Sequence, residues 1–252
     1  MKLSFQVQVY PSRQEMGCQA ARDVAACIAR QLQEKDHLSM IFAAAPSQNE
    51  FLAALAADPA IDFSRIVAFH MDEYVGLEAA APQGFGNFLR ERLFGRVPFR
   101  QVHYLNGNAT DIAAECRRYG DLLAADPPDI VCLGIGENGH IAFNDPHVAD
   151  FHDPLPVRCV SLDPVCRQQQ VHDGCFAALN QVPEQALTLT IPTLAHASHH
   201  FCIVPAATKA QAVRETVAGR IEPACPASIL RLCADAVLYL DPASAALLPA
   251  RP

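Results

Sequence analysis

The stretch Ile66-Val67-Ala68-Phe69-His70-Met71-Asp72-Glu73 tells most about the fold of this chain. An apolar run leads directly into two adjacent carboxylates, Asp72 and Glu73. The run predicts a buried strand, and carboxylates beside such a strand are costly unless they are solvated or paired. In open α/β sheets, ligands bind just beyond the carboxyl ends of the strands. The stretch therefore predicts an acidic site at the edge of an α/β sheet. A solvated loop, or pairing with nearby arginines, would fit the same residues.

A second unit of the same kind lies downstream. The apolar run 129–133 is followed by the loop 134–146, which carries His140 and Asp145. Both loops would reach the same edge of a parallel sheet. We therefore predict an acid–base site at that edge, with Asp145 in reach of the His140 ring.

The loop 134–146 also contains the pattern Gly134-x-Gly136-x-x-Gly139. The dinucleotide fingerprint has this spacing, but it needs a helix immediately after the third glycine. Pro146 follows too soon for a long helix. We therefore predict no nucleotide cofactor, and we expect Gly136 and its neighbours to let the backbone approach the substrate closely.

Apolar runs predict seven strands, at about residues 3–9, 38–44, 64–70, 129–135, 186–191, 199–204 and 236–240. Helical spacing separates them, as in 111–125, where apolar side chains recur on one face. Alternating strands and helices imply βαβ units, hence an α/β fold with a doubly wound, mostly parallel sheet in a single domain, residues 1–252. Ser47 with Glu50 forms a capping-box pattern, which predicts a helix from Ser47 to about Ala57.

Composition limits the class of protein. With 252 residues and 51% hydrophobic content, the chain can bury a sizeable core. It has no run of 18 or more apolar residues and no apolar block of a signal peptide at its start. We therefore expect a cytoplasmic chain without a membrane span. The net charge is -8 and the 19 Lys and Arg are scattered, which argues against nucleic acid as a partner.

Ten cysteines raise the question of disulfides or a bound metal. No two of them form a Cys-x-x-Cys pair, and several lie in apolar runs, where a free thiol packs as a small hydrophobe. His199 and His200 are adjacent in a predicted strand, so their side chains face opposite ways. We expect reduced, structural thiols and no metal site.

Four segments resemble, in the same order, signature segments of the glucosamine-6-phosphate deaminase family: Phe69–Leu77, Leu105–Tyr119, Gly134–Pro146 and Cys225–Leu230. The resemblance extends from about Ile41 to Asp241. It implies a three-layer Rossmann-like fold and an aldose–ketose isomerase that also deaminates its substrate. The implied partner is an amino sugar 6-phosphate, and no cofactor is required because only protons move.

The resemblance also assigns roles to single residues. Asp72 aligns with the general base that moves a proton between two neighbouring carbons. His140 aligns with the histidine that opens the sugar ring, and Asp145 with the acid that tunes it. Many relatives have Glu at position 145, and some have Asp where Asn138 stands. Glu73 is expected to be a structural or secondary group at the substrate.

The phosphate site departs further from the family pattern. Many members have a glycine-rich Ser/Thr loop where this chain has Ala-Ala-Pro-Ser-Gln-Asn, residues 44–49. Lys209 matches a family phosphate contact, and Ser47 and Gln48 lie at a predicted helix start, where phosphate is favoured. His172 stands where relatives have an arginine.

The segment from about 150 to 180 corresponds to a lid in the family. Asp163-Pro164 could cap a short helix in it, which would carry Arg167 as a further contact for the substrate, together with three glutamines. Polar side chains beneath a mobile cover suit a sugar.

Two other functions fit parts of the sequence. A 6-phosphogluconolactonase-like hydrolase would use the His140 region to activate water, but the segment Met71–Leu77 fits the deaminase better. A non-catalytic sugar-phosphate sensor is usually joined to a DNA-binding helical region, for which we expect no room before the first strand. The sequence leaves open the gluco or galacto substrate and is compatible with a homo-oligomer. It contains no Gly-x-Ser-x-Gly, which disfavours an α/β-hydrolase.

Overall fold

A computed structural model describes residues 4–249 of the chain. The strands are β1 (Ser4–Val9), β2 (Leu38–Phe42), β3 (Ile66–His70), β4 (Asp72–Tyr74), β5 (Gln101–His103), β6 (Ile130–Leu133), β7 (Val157–Ser161), β8 (Gln185–Leu189), β9 (His199–Val204) and β10 (Asp235–Leu240). The α-helices are α1 (Arg13–Gln31), α2 (Asn49–Ala56), α3 (Phe85–Leu89), α4 (Ile112–Ala125), α5 (Pro164–His172), α6 (Ile191–Ala195) and α7 (Ala210–Ala218).

Seven strands form a parallel central sheet in the order β1-β10-β9-β6-β2-β3-β5. From β2 the chain moves outward through β3 to β5, and it then returns to β6 on the other side of β2. The strand order therefore reverses between β2 and β6. Such a switch point opens a crevice at the carboxyl ends of the two strands, where α/β proteins bind ligands.

The central strands are buried because apolar side chains point to both faces of the sheet. In β2, Met40 and Phe42 pack into one apolar cluster, while Ile41 between them packs into another. The same alternation occurs in β6, where Cys132 and Val131 belong to different clusters. Helices cover both faces, so the predicted three-layer, doubly wound α/β fold is confirmed.

A second, smaller sheet was not predicted from the sequence. It has three antiparallel strands in the order β4-β8-β7. The predicted strand at 186–191 lies here, as β8, and not in the parallel sheet. Its partner β4 begins at Asp72, which is registered opposite Thr188. The two carboxylates of the opening stretch thus stand in a strand, so the reading of that stretch as a solvated loop is wrong.

Two helix starts were predicted with different success. Asp163 does cap α5, because its side chain accepts a hydrogen bond from the Val165 N–H. The capping box at Ser47 and Glu50 is wrong: a 3-10 turn precedes α2, and Ser47 makes no capping bond to the backbone. Glu50 instead forms an ion pair with Arg13 at 2.8 Å. No helix between residues 4 and 249 is both long and apolar enough to cross a membrane.

Candidate active site

A cleft lies at the switch point, where the segments that follow β2, β3 and β6 meet helix α5. Its polar lining residues are Ser47, Gln48, Asp72, His140, Gln169 and Gln170. Among the lining side chains that the structure describes, only those of Asp72 and His140 are ionisable. The polar residues after β3 and after β6, which were predicted to meet at the carboxyl ends of these strands, therefore do so.

Asp72 is the carboxylate of this cleft. Its side chain is buried, with 5% of the residue exposed. Burial, and then the neighbouring charge of Glu73, raise the pKa of Asp72 well above the ordinary value for an aspartate. A carboxylate with a raised pKa is a stronger base, which suits it to accept a proton from carbon and to return one.

His140 is held from one side by two residues of its own loop. Its Nδ1 atom lies 2.7 Å from Oδ1 of Asn138 and 3.1 Å from Oδ1 of Asp145. The Asn138 amide donates to the same Asp145 oxygen at 2.9 Å. Two acceptors at Nδ1 favour the tautomer with its proton there. The other ring nitrogen, Nε2, is then left to accept a proton.

Asp145 is fully buried and is tied to the beginning of α5. Its second oxygen accepts the backbone N–H of Asp163 at 2.9 Å. Burial by itself would raise the pKa of Asp145, but the hydrogen bonds from His140, Asn138 and this N–H together lower it below the ordinary value. Asp145 therefore stays ionised and can stabilise a positive charge on the imidazole.

Gly136 leaves the space that the His140 ring occupies. The Gly136 N–H donates to the His140 carbonyl at 2.9 Å. A Cβ atom at position 136 would lie 2.0 Å from Cε1 of the ring. After Gly139 the chain makes turns with a bridge between Ile141 and Asn144, so the helix that a dinucleotide fingerprint needs does not follow. Gly136 serves the close approach of backbone and imidazole.

Cys166 was grouped with the structural thiols, and the structure places it at the site. Ligand atoms of His140, Asp145 and Cys166 all lie within 4.8 Å of one another, a separation that could hold a metal ion. However, Asp145 already accepts three N–H donors. Burial raises the pKa of the Cys166 thiol well above its ordinary value. The set is therefore arranged as a hydrogen-bonding group around a carboxylate.

Glu73 does not line this cleft, and of the two roles expected for it the structural one fits its contacts, whereas the substrate contact does not. One carboxylate oxygen accepts the backbone N–H groups of Tyr74 and Phe85, at 2.9 and 3.0 Å, and the other accepts that of Gly86 at 2.8 Å. The Phe85 and Gly86 N–H groups are free donors at the beginning of α3, whereas the Tyr74 N–H belongs to β4. Because it accepts the first two N–H groups of α3, Glu73 acts as a helix cap.

Two buried polar atoms without a hydrogen-bond partner in the described part of the structure belong to residues that were expected to bind the phosphate, Gln48 and Lys209. Gln48 is buried, and its Nε2 donates to the Ile203 carbonyl at 3.0 Å and to Ser47 Oγ at 3.1 Å. Its Oε1 has no partner among residues 4–249. The buried Lys209 ammonium also has none within that range, although Glu137 and Asp173 act on it electrostatically. An unpaired, buried ammonium favours an anionic ligand.

Two predicted contacts on the lid helix differ in direction. Arg167 points away from the cleft: its Nη2 donates to the carbonyls of Leu179 and Val182, at 3.0 and 2.8 Å. His172 is exposed, with Nδ1 3.4 Å from Oε2 of Glu137, and it does not line the cleft. Arg167 therefore anchors the segment after α5, and it is not placed to bind substrate.

Two lining residues were not among the predicted contacts. Gln169 and Gln170 are buried, and Gln169 Oε1 accepts the Glu137 N–H at 2.8 Å. The signal in the sequence was the run of three glutamines in the lid helix. The sequence alone does not show which of these side chains point into the cleft. Asn108 does not line the cleft and fixes its own loop, since its amide donates to the Leu77 carbonyl at 2.8 Å.

Comparison with known proteins places the chain in a family. The family model for glucosamine-6-phosphate isomerases/6-phosphogluconolactonase matches residues 11–239. A glucosamine-6-phosphate deaminase of Bacillus thuringiensis (strain Al Hakam) is 36% identical over 181 residues, which cover 72% of this chain and 67% of that protein.

Solved structures agree with this assignment. A monomeric glucosamine-6-phosphate deaminase of the NagB superfamily has a TM-score of 0.87 and 30% identity, covering 96% of this chain and 99% of its own. A 6-phosphogluconolactonase from Trypanosoma brucei has a TM-score of 0.77 but 19% identity, covering 98% of this chain and 100% of its own, and it shows the fold alone. The chain belongs to the glucosamine-6-phosphate isomerase/6-phosphogluconolactonase family, and the predicted resemblance to its deaminase members is confirmed.

Proposed function

We propose that this chain converts an amino sugar 6-phosphate, such as glucosamine 6-phosphate, into a ketose 6-phosphate and ammonia. The observation that carries the proposal is the pairing of Asp72 and His140 as the ionisable side chains that line one cleft. An aldose–ketose isomerisation of a cyclic sugar needs one group that moves a proton between O1 and the ring oxygen. It needs a second group that moves a proton between C2 and C1. The deaminases among the relatives are the source of the substrate class.

His140 would open the sugar ring. With the Nδ1 proton directed to Asn138 and Asp145, Nε2 can take the proton from the O1 hydroxyl and deliver it to the ring oxygen. The imidazole is positively charged between these two transfers. The ionised Asp145 stabilises that charge, which lowers the barrier to ring opening.

Asp72 would then act on the open-chain sugar. Its carboxylate removes the proton from C2, which gives an enolamine, and the same group returns a proton to C1. The nitrogen at C2 becomes an imine, and water replaces it, releasing ammonia and leaving the C2 carbonyl of the ketose. One buried carboxylate of raised pKa can serve both transfers, because it gains and loses a proton more evenly than an ordinary aspartate.

We place the substrate phosphate against Lys209, Gln48 and Ser47. Burial lowers the pKa of the Lys209 ammonium, and a phosphate dianion beside it would restore the charged form. The Gln48 amide and Ser47 hydroxyl lie in the 3-10 turn Pro46–Gln48 that follows β2, and both line the cleft. Helix α5, within the segment 150–180, would cover the bound sugar as a lid.

A substrate panel tests this function. Ammonia release is measured with glucosamine 6-phosphate, galactosamine 6-phosphate and their unphosphorylated parents, and hydrolysis of 6-phosphogluconolactone is measured in parallel. We expect ammonia from at least one phosphorylated amino sugar, at a kcat/KM at least about tenfold above that of its parent. Lactone hydrolysis without ammonia release would overturn the proposal in favour of a hydrolase.

We also propose a cytoplasmic location. All ten cysteines are free thiols, which is typical of a reducing compartment. Assembly into a homo-oligomer stays a prediction that light scattering of the purified chain tests.

A further inference from the structure

The turn that leads to Lys209 is strained. Ala206 has φ 86° and ψ 146°, a combination that is adopted almost only by glycine. Between residues 4 and 249, the only other non-glycine residue with positive φ is Ala142. Surrounding structure must hold such a residue in place, because an alanine relaxes to negative φ when it is free.

Asp241 restrains Ala206 in this conformation. Its two carboxylate oxygens lie 3.2 and 3.1 Å from the Ala206 N–H, and one of them also accepts the Ser244 N–H at 2.8 Å. Asp241 follows β10, which pairs with β9 so that Leu240 is registered opposite Val204. It is buried, with 8% of the residue exposed. The carboxylate therefore fixes the turn after β9 from the neighbouring strand.

The strained residue begins the turn that presents the lysine. The Ala206 carbonyl accepts the Lys209 N–H at 3.1 Å, which closes the turn. Lys209 is 4% exposed, and its ammonium has no partner in the described part of the chain. A change in the Ala206 conformation would rotate this carbonyl and move the ammonium with it.

We propose that Asp241 is a positioning residue for the reaction: it holds Ala206 in its strained conformation and so aims the Lys209 ammonium at the substrate phosphate. This inference rests on the proposed function, because it takes the phosphate of an amino sugar as the group that Lys209 meets. Asp241 itself does not line the cleft.

The test is a double-mutant cycle of Asp241→Asn and Ala206→Gly. Asn keeps the shape of Asp241, but its amide group would present a donor to one of the two N–H groups that the carboxylate accepts. Glycine adopts positive φ without strain, so in Ala206→Gly the backbone should depend less on Asp241 to keep its conformation. The matched control is Asp129→Asn. That carboxylate is also buried and also accepts a backbone N–H, that of Ser39 at 3.1 Å, but it precedes β6 and so lies at the amino-terminal ends of the parallel strands, away from the cleft.

The kinetic readout separates positioning from folding. We expect Asp241→Asn to raise KM for glucosamine 6-phosphate by about tenfold with kcat within about twofold, and the double variant to return KM to within about threefold of wild type. Asp129→Asn should leave KM unchanged. An unchanged KM in Asp241→Asn, or a tenfold rise that Ala206→Gly does not reduce, would overturn the proposal.

Thermal unfolding gives a second readout that does not depend on the proposed function. Asp241→Asn should lower Tm by roughly 4 °C in the wild-type chain and by roughly half as much in the Ala206→Gly chain. Additive Tm shifts would mean that Asp241 does not restrain Ala206, whatever the substrate is. The unfolding cycle could show coupling while no amino sugar phosphate releases ammonia. In that case the proposed function is wrong, and the positioning role is wrong with it, because Lys209 then has no substrate phosphate to bind.

Discussion

Nδ1 of His140 lies 3.1 Å from Oδ1 of Asp145, a carboxylate with no exposed surface. The pair sits in one loop after β6, and the Asp163 N–H ties its acid to the beginning of the lid helix. The group proposed to open the sugar ring is therefore connected to the segment that would cover the sugar. Closure of the lid and the orientation of the imidazole are expected to depend on each other.

The glycine beneath the His140 ring gives the first prediction. In Gly136→Ala the new Cβ would lie 2.0 Å from Cε1 of the ring, so the imidazole must move. A displacement of about 1 Å costs on the order of 100-fold in rate, and we expect a loss of that size in kcat for ammonia release. The control is Gly134→Ala, whose Cβ would meet Gln48 Nε2 at 3.1 Å instead. It should change KM more than kcat, and equal kcat losses in both variants would contradict the role of Gly136.

Glu73 should matter for stability and little for substrate binding. Glu73→Ala removes the acceptor of three backbone N–H groups, that of Tyr74 in β4 and those of Phe85 and Gly86 at the beginning of α3. We expect the free energy of unfolding to fall by about 2 kcal/mol, or roughly 4–8 °C in Tm, with KM within about threefold. Denaturant unfolding and steady-state kinetics measure both. A tenfold rise in KM at unchanged stability would restore Glu73 to the binding site.

Lys209 should matter for substrate binding and should lower stability, the opposite of Glu73. Its pKa is lowered by burial, so its charged form is penalised in the folded state, and Lys209→Met removes that cost. We expect Tm to rise by about 2–4 °C while KM for the phosphorylated sugar rises at least about tenfold. Turnover of the unphosphorylated sugar serves as the control and should not change. A lower Tm with unchanged KM would mean that Lys209 is a structural residue.

Asp72 should make stability depend on pH. Its folded pKa is raised above the unfolded value, so the folded state holds the proton more strongly. Stability is then present at low pH and is lost as pH rises from the unfolded pKa towards the folded pKa. Asp72→Asn does not ionise. We expect the two chains to have similar Tm at about pH 4 and the variant to be about 2–4 °C higher at pH 8. A Tm difference that is constant between these pH values would show that Asp72 does not ionise across that range.

The central strands could be predicted from the sequence because their apolar composition indicates that they are buried. β2, β3 and β6 are almost entirely apolar, interrupted only by Ser39 in β2 and His70 at the end of β3, which is typical of parallel strands that are covered on both faces. β5 is a three-residue edge strand and carries no such run. β4 and β7 are strands only because both pair with β8, a tertiary relationship without a local signal. The small sheet was therefore missed.

The site residues were also predictable where the order of the strands determines their position, and not where other tertiary contacts do. Asp72 and His140 follow strands whose carboxyl ends must converge, so their proximity follows from the topology. The directions of Arg167 and Glu73 depend on which carbonyls and N–H groups the rest of the chain leaves unpaired, and no local pattern gives that. The strain at Ala206 was equally hidden, because alanine gives no sign of positive φ.

The most direct measurement compares ammonia release by wild type and Asp72→Asn at saturating glucosamine 6-phosphate, together with the Kd of each for that substrate. The amide keeps the shape of the carboxylate but cannot accept the C2 proton. We predict a loss of at least about 1,000-fold in the rate with Kd within about tenfold. A variant that keeps more than about a tenth of the wild-type rate would contradict the role of Asp72 as the base, and with it the proposed mechanism.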